Sequence, residues 1–302
     1  MTVPGVARAT SGRMPMALLR EARPKQWVKN VLVFAAPGAA GVLTHPSVLA
    51  RTLVMLAAFC LAASGTYFLN DAADVEADRL HPKKRYRPIA SGAVPLRLGV
   101  GIGVALVVAG LAVAAVLGWA DVAIIGLYLV LTVSYSLRLK HVPVIDIACV
   151  AAGFVMRAVA GGLAAEVKIS QWFLIVAGAG SLFMVAGKRH GDFVHLEGDE
   201  LASRPALAGY TLAYIRFVWM LASAVAVSAY ALWAFEEGAA HSDPGWYELS
   251  TVPFVLALLR YALMIEQGHG GAPEDVVLSD HTLLVLGMCW VAVFGLGVTL
   301  GR

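Results

Sequence analysis

Long apolar runs recur along almost the whole chain and constrain its fold more than any other feature of the sequence. The runs at 96–118 and 282–300, for example, contain only one charged residue between them, Arg97. A run of about 20 apolar residues is long enough to cross the hydrocarbon core of a bilayer. Because lipid offers no water to the backbone, such runs must satisfy their own hydrogen bonds as helices. We therefore predict an all-α polytopic membrane protein.

The apolar pattern predicts about nine transmembrane helices, of which the first is short and interrupted by Pro37 and Gly38. Hydrophobic residues make up 59% and charged residues 14% of the 302 residues, which excludes an ordinary water-soluble domain. The net charge of +3 is too small to indicate a nucleic-acid partner. The predicted spans are 28–43, 48–70, 96–118, 120–137, 143–164, 170–187, 210–235, 248–266 and 282–300.

The distribution of Lys and Arg predicts the orientation in the membrane. With the N-terminus in the cytosol, nearly all of the 23 Lys and Arg residues fall in the inner connections, as the positive-inside rule requires. Nine spans then place the C-terminus outside. The longest polar connections, 70–95 and 188–209, lie on the inner side, so we expect the active site on the cytosolic face of the plasma membrane. We divide the chain into a cytosolic N-terminal segment, 1–27, and a single transmembrane catalytic domain, 28–302.

An acidic helix end follows the second predicted span. Asn70, Asp74 and Asp78 are spaced four residues apart and therefore lie along one helical face. Carboxylates on one face repel each other, and a divalent cation would relieve that repulsion. Oxygen ligands without Cys or paired His suit Mg²⁺, which usually shares its coordination shell with substrate phosphates. We predict these three residues as metal ligands, with a solvated helix end as the alternative.

A basic loop over residues 79–92 comes directly after these acids. Pro82 and Pro88 prevent a continuous helix there. Its cations could neutralise the acids, signal the inner side of the membrane, or bind an anion that carries several phosphates. The candidate substrate ligands in this loop are Arg79, His81, Lys84 and Arg85.

A second polar segment follows the sixth span. Lys188 and Asp192 are four residues apart on one helix face, which fits either an ordinary surface pair or a functional role. In the functional interpretation Lys188 contacts a phosphate, while Asp192 assists a metal or orients Lys188. Within the fifth span, Asp146 and Arg157 also share a face, and we expect them to be pairing partners or walls of the site. Further candidate substrate ligands are Lys29, Asn30, Tyr67 and Tyr135.

The string Asn70-Asp71-x-x-Asp74-x-x-x-Asp78 resembles the first aspartate-rich motif of the UbiA superfamily of intramembrane prenyltransferases. The longer string up to Gly92, with residues 23–30 and 186–189, is similar to a branch that transfers phosphoribosyl groups. Ordinary members carry a second DxxxD motif. This chain has Lys188 in place of the first Asp of that motif and keeps Asp192, which favours direct phosphate contact over a second metal.

The resemblance implies a UbiA-type bundle with a polar cavity on the cytosolic side. It implies Mg²⁺-dependent transfer of 5-phosphoribosyl from phosphoribosyl pyrophosphate to a polyprenyl (decaprenyl) phosphate, with release of pyrophosphate, for cell-wall arabinan precursors. Asp74, Asp78 and Lys188 would then be catalytic, and the protein would be a homo-oligomer, a trimer, surrounded by membrane lipids.

Two alternatives stay open beside this interpretation. One keeps the fold but uses a prenyl diphosphate donor and an aromatic acceptor. The other is a transporter that couples through intramembrane acids, which would place charges near the bilayer midplane. The clustering of acids at inner helix ends disfavours the transporter.

Overall fold

The computed structural model describes residues 14–195, 209–241, 245–268 and 273–300, and within these ranges it contains helices and no strands. Eight of these helices are long and apolar enough to cross a membrane. Residues 1–13 and 196–208, which belong to the predicted N-terminal segment and second polar connection, lie outside the described residues. The helices are α1 Met14–Ala22, α2 Ala35–Ala39, α3 Pro46–Ala73, α4 Val75–Leu80, α5 Leu96–Ala115, α6 Trp119–Leu137, α7 Ile145–Ala164, α8 Gln171–His195, α9 Leu212–His241, α10 Trp246–Glu266, α11 Pro273–Ser279 and α12 His281–Leu300.

The first predicted span, 28–43, is built differently from the other eight. Residues Pro24–Phe34 form a 3-10 helix of 11 residues, and the short α2 follows it. A 3-10 helix rises about 2.0 Å per residue, so this stretch covers about 22 Å and α2 adds about 7 Å. That length approaches the thickness of a hydrocarbon core, about 30 Å. The prediction of about nine membrane helices is therefore confirmed approximately.

The chain divides into two compact units. Unit 1 comprises the residues up to Val31 and Leu53–Val130, and unit 2 comprises Leu32–Thr52 and the residues from Leu131 onward. Whether 28–302 acts as a single catalytic domain stays a prediction.

Close backbone contact between α3 and α5 organises unit 1. A Cβ added to Gly65 would lie 2.7 Å from the carbonyl oxygen of Gly103, and one added to Gly110 would lie 3.0 Å from that of Ala58. Small residues at such positions let membrane helices approach each other closely. At one end of this pair a cluster of buried apolar side chains joins α1, the end of α3, α4 and the loop before α5, and so fixes the surroundings of the acidic helix end. The buried members of that cluster are Ala17, Phe68, Ala72, Val75, Ile89 and Val94.

Unit 2 packs α7, α8, α9 and α10 around aromatic and branched side chains. Phe183 of α8 lies at its centre, with ring centroids 6.2 Å from Trp219 and 5.5 Å from Tyr261. Ile147 of α7 and Ile265 of α10 belong to the same buried cluster. The helix α8 continues to His195, so the predicted second polar connection, 188–209, begins within this helix, as the shared helix face of Lys188 and Asp192 required. Residues 188–195 contain no proline that would end the helix earlier.

The tightest approach in unit 2 supplies a test of the fold. A Cβ at Gly161 of α7 would lie 1.7 Å from the carbonyl oxygen of Val33, whereas a Cβ at Gly178 of α8 meets nothing within 4 Å. Overpacking of this kind costs about 1–3 kcal/mol, and each kcal/mol lowers the melting temperature by about 2–4 °C. We expect Gly161→Ala to melt clearly below the wild type in detergent, and Gly178→Ala to melt at or above it. Equal melting temperatures of the two variants would contradict this packing.

Candidate active site

The acidic helix end keeps its helical register through a change of helix in unit 1. The helix α3 ends at Ala73 and α4 begins at Val75, with Asp74 between them. The amide of Asp74 donates to the carbonyl oxygen of Asn70 at 2.9 Å, and the amide of Asp78 donates to that of Asp74 at 2.8 Å. Because these i to i−4 bonds persist, Asn70, Asp74 and Asp78 keep the one-turn spacing that the sequence predicted.

Arg87 bridges two buried carboxylates of this helix end. Its Nη1 lies 3.0 Å from Oδ1 of Asp71 and 2.7 Å from Oδ2 of Asp78. Arg23 adds a contact of 2.5 Å to Asp71, and Nζ of Lys84 lies 3.8 Å from Asp78. The basic loop therefore folds back onto the acids and neutralises two of them. Removing one partner of such a buried pair typically costs about 3–5 kcal/mol.

Asp74 differs from its two acidic neighbours. Its carboxylate is half-buried and makes no ion pair or hydrogen bond within the described part of the chain. The described residues contain no group of three or more His, Cys, Asp or Glu side chains that could hold a metal. Mg²⁺ nevertheless commonly uses only one or two protein carboxylates and completes its shell with water and substrate phosphate. Asn70 and Asp74 fit that donor set, whereas Asp78 is already engaged by cations.

The two arginines among the candidate ligands of the basic loop, Arg79 and Arg85, hold local contacts. Arg79 donates to Glu76 at 2.9 Å and to the carbonyl oxygen of Ala90 at 3.3 Å. Arg85 donates to the hydroxyl of Tyr86 at 2.7 Å and lies over the same ring. The contact with Ala90 ties α4 to the loop, and a role for either arginine in substrate binding stays a prediction.

The imidazole of His81 stabilises the turn that begins the basic loop. Its Nδ1 is placed to accept from the amides of Lys83 and Lys84, at 3.2 and 3.3 Å. Tyr67 lies under the guanidinium of Arg23, at 4.8 Å from the ring centroid. Both residues therefore support the charged cluster, and their predicted contact with substrate is untested.

The two candidates from the start of the first predicted span, Lys29 and Asn30, are also held by neighbours within unit 1. Nζ of Lys29 donates to Oε1 of Gln26 at 2.5 Å. Asn30 is buried and donates to Sγ of Cys60 at 3.3 Å. Arg23 and Arg87 were not among the predicted site residues, although both lie in the motifs that carry the resemblance. Only the fold brings these two arginines onto Asp71.

A second polar network forms in unit 2 around Arg189. Its Nε lies 3.2 Å from Oδ2 of Asp146, its Nη1 lies 3.5 Å from Asp192, and its Nη2 donates to the hydroxyl of Tyr135 at 3.3 Å. Asp192 is thus paired with Arg189, and the surface pair with Lys188 that the spacing allowed does not form. Lys188 is half-buried and makes no ion pair or hydrogen bond within the described ranges.

Tyr210 completes this network, and sequence reasoning missed it. Its hydroxyl donates to Asp146 and accepts from the amide of Val144, a residue with a positive φ of 71°. Burial and the hydrogen bond to Asp146 raise the pKa of Tyr210, which keeps the hydroxyl protonated. Arg157 donates instead to the carbonyl oxygen of Gly153 at 2.6 Å. Nothing in the sequence around Tyr210, at the start of an apolar run, marks it as a partner of Asp146.

Fold and site together define a polytopic α-helical membrane protein with an acidic helix end enclosed by arginines. The UbiA prenyltransferase family matches residues 31–279. This chain belongs to that family.

Relatives and solved structures agree with this assignment. The chain is 47% identical to the decaprenyl-phosphate phosphoribosyltransferase of Corynebacterium glutamicum, over 91% of this chain and 84% of the relative. It is 42% identical to the protein of the same name from Mycolicibacterium smegmatis, over 97% and 96% of the two chains. Its fold is similar to that of a UbiA homolog from Archaeoglobus fulgidus bound to DMAPP and Mg²⁺, with a TM-score of 0.72, 18% identity, and coverage of 93% and 98%.

Glu21 of α1 yields a prediction about pH. Burial and the neighbouring Asp71 raise the pKa of its carboxyl from 4.5 to about 8. Because the folded pKa lies above the unfolded one, the contribution of Glu21 to stability is complete below pH 4.5 and declines as pH rises through 8. Gln cannot ionise, so the melting temperature of Glu21→Gln, relative to the wild type, should rise between pH 5 and pH 9.

Each kcal/mol of unfolding free energy that Glu21 contributes should change the melting temperature by about 2–4 °C. Glu76→Gln is the matched control, because the side chain of Glu76 is 82% exposed. The difference in melting temperature between Glu76→Gln and the wild type should not change with pH. A flat difference for Glu21→Gln as well would contradict the raised pKa.

Proposed function

We propose that this protein transfers the 5-phosphoribosyl group of phosphoribosyl pyrophosphate to a polyprenyl phosphate, specifically decaprenyl phosphate, and releases pyrophosphate. The observation that carries the proposal is the similarity to decaprenyl-phosphate phosphoribosyltransferases at 42–47% identity over most of both chains. That similarity disfavours the alternative of a prenyl diphosphate donor with an aromatic acceptor. The product would serve cell-wall arabinan synthesis.

The charges of the site suit this reaction. As the bond between ribose C1 and the pyrophosphate oxygen breaks, negative charge grows on the leaving group and the ribose becomes oxocarbenium-like. An anionic phosphate oxygen of the lipid then forms the new bond to C1. Since that oxygen is already ionised, the reaction needs no strong general base.

A magnesium ion at Asn70 and Asp74 would supply positive charge to the pyrophosphate. The chain's own contribution is to keep Asp74 free of protein cations, while Arg87 and Lys84 hold Asp78. Asp78 stays a predicted third ligand, which would have to exchange Arg87 for the ion. Binding to phosphate is also proposed for Lys188, whose ammonium lacks a protein partner within the described residues.

The setting of the enzyme is part of the same proposal. The eight candidate spans make it an integral membrane protein. The positive-inside distribution supports a plasma-membrane enzyme with its N-terminus and active site in the cytosol. Assembly as a trimer stays a prediction.

The direct test supplies purified protein with Mg²⁺, labelled phosphoribosyl pyrophosphate and decaprenyl phosphate, and measures label in the lipid phase. We expect label transfer that stops when the metal is chelated. Asp74→Asn should lower kcat/KM by about 10²–10³-fold or more, because it removes charge from the metal site. Glu76→Gln, a change to an exposed acid of the adjoining helix, should stay near the wild-type rate. A wild type that alkylates an aromatic acceptor from prenyl diphosphate, without phosphoribosyl transfer, would refute the proposal.

Lys188 allows a test of donor recognition. Lys188→Met keeps the length of the side chain but removes the charge, and a hydrogen bond to a charged group is worth about 1.5–3 kcal/mol. We expect KM for phosphoribosyl pyrophosphate to rise about tenfold or more, with partial recovery in Lys188→Arg. Lys168→Met, at an exposed lysine of unit 2, is the control. An unchanged KM in Lys188→Met would remove this lysine from the donor site.

A further inference from the structure

A cavity of about 290 Å³ opens in unit 1, against the side of the acidic helix end where Asp71 lies. We propose that this cavity binds the phosphate of a polyprenyl phosphate, which is the acceptor under the proposed function, on which this inference rests. None of the residues predicted from the sequence as substrate or metal ligands lines it. Its lining includes Arg20, Glu21, Arg23, Lys83, Tyr86 and Arg87.

The lining carries four cations, Arg20, Arg23, Lys83 and Arg87, which is more positive charge than Asp71 neutralises. Arg23 and Arg87 both pair with Asp71, and Arg87 is shared further with Asp78. In contrast, the side chains of Arg20 and Lys83 make no ion pair or hydrogen bond within the part of the chain that the structure describes. An anion in the cavity would give these two cations a partner. The surplus therefore favours an anionic ligand, and phosphate is the anion that both substrates of the proposed reaction carry.

The buried carboxyl of Glu21 is the second observation that points to a ligand. Its side chain lines the cavity, yet the residue is only 1% exposed. Neither carboxyl oxygen has a partner at full hydrogen-bond geometry within the described residues, and the groups that approach it are the carboxylate of Asp71 and the backbone of Ile89. Burial and the adjacent Asp71 raise its pKa to about 8, so the group is mostly uncharged at neutral pH. A protonated carboxyl can donate a hydrogen bond to a phosphate oxygen, and an approaching anion strengthens its hold on the proton.

The helix that supplies Arg20 and Glu21 indicates a lipid rather than a soluble anion. In α1, Ala17 and Glu21 are buried, while Met16 and Leu19 are 60% and 51% exposed. An exposed apolar face beside cations is typical of a helix that lies in the membrane interface. A ligand with a phosphate head and an apolar chain satisfies the cavity and this face together. A phosphate without a chain uses only the cavity.

The test compares lipid binding with donor binding in the full chain. Native mass spectrometry in detergent measures the affinity for a polyprenyl phosphate, with the uncharged polyprenol as the matched ligand. Steady-state kinetics measure KM for each substrate. We expect the double variant Arg20→Gln/Lys83→Gln to bind the polyprenyl phosphate about tenfold more weakly. Its KM for the lipid should rise, and its KM for phosphoribosyl pyrophosphate should stay within about twofold.

Two control variants and one control ligand separate the effect of charge at the cavity from the effect of charge elsewhere on the protein. Arg97→Gln removes an exposed cation of unit 1 that does not line the cavity, and it should bind like the wild type. Arg20→Lys/Lys83→Arg keeps both charges and should retain most of the affinity. Polyprenol should bind the double variant and the wild type alike.

Three outcomes would overturn the inference. The double variant could bind the polyprenyl phosphate as tightly as the wild type does. It could instead raise only KM for phosphoribosyl pyrophosphate, which would make the cavity a donor site. Phosphatidylglycerol could displace the polyprenyl phosphate at equal concentration, which would make it a general site for anionic lipids. A wild type that binds the lipid phosphate through these cations but transfers no phosphoribosyl would refute the proposed function and leave the lipid site standing.

Discussion

The bridge that Arg87 makes between Asp71 and Asp78 is the interaction on which unit 1 depends. Charges buried together are tolerated only when they are paired and hydrogen-bonded. One guanidinium meets this requirement for Asp71 and Asp78, which lie two helical turns apart, and Arg23 completes the pairing of Asp71. The basic loop is thereby tied to the end of α3 and to α4. Without that tie, Asp71 would keep only Arg23, and the nearest cation to Asp78 would be Lys84 at 3.8 Å.

The same pairing decides which groups remain for substrate. Protein cations engage Asp71 and Asp78, so Asp74 is the member of the acidic run that keeps a half-buried carboxylate without a partner within the described residues. In unit 2, Arg189 binds Asp146, Asp192 and Tyr135 at once. Lys188 makes no ion pair or hydrogen bond within the described residues. Each unit thus engages most of its buried charges internally and leaves a half-buried charged group, Asp74 in unit 1 and Lys188 in unit 2, without a partner among the described residues. Such unsatisfied groups, rather than the densest charge clusters, are the stronger indication of a binding site.

Several predictions from the sequence depended on spacing alone and held because helical geometry is local. The one-turn register of Asn70, Asp74 and Asp78 survives the change from α3 to α4, since the i to i−4 hydrogen bonds continue through it. Lys188 and Asp192 likewise lie on one helix, as their spacing predicted. The spacing did not identify Arg189 as the partner of Asp192. Asp192 pairs with Arg189, three residues away, because Asp146 and Tyr135 draw the guanidinium to that side.

The sequence by itself determined that the chain is a bundle of membrane helices with an acidic helix end followed by a basic loop, because hydropathy and helical period act within single elements. It also carried the motifs that mark the UbiA family. Only the tertiary structure decided that Arg23 and Arg87 close around Asp71, that Glu21 is buried beside them, and that Tyr210 holds Asp146. Those contacts join residues 16 to 64 positions apart. They depend on how loops and helices pack, and no local pattern encodes a pairing across such separations.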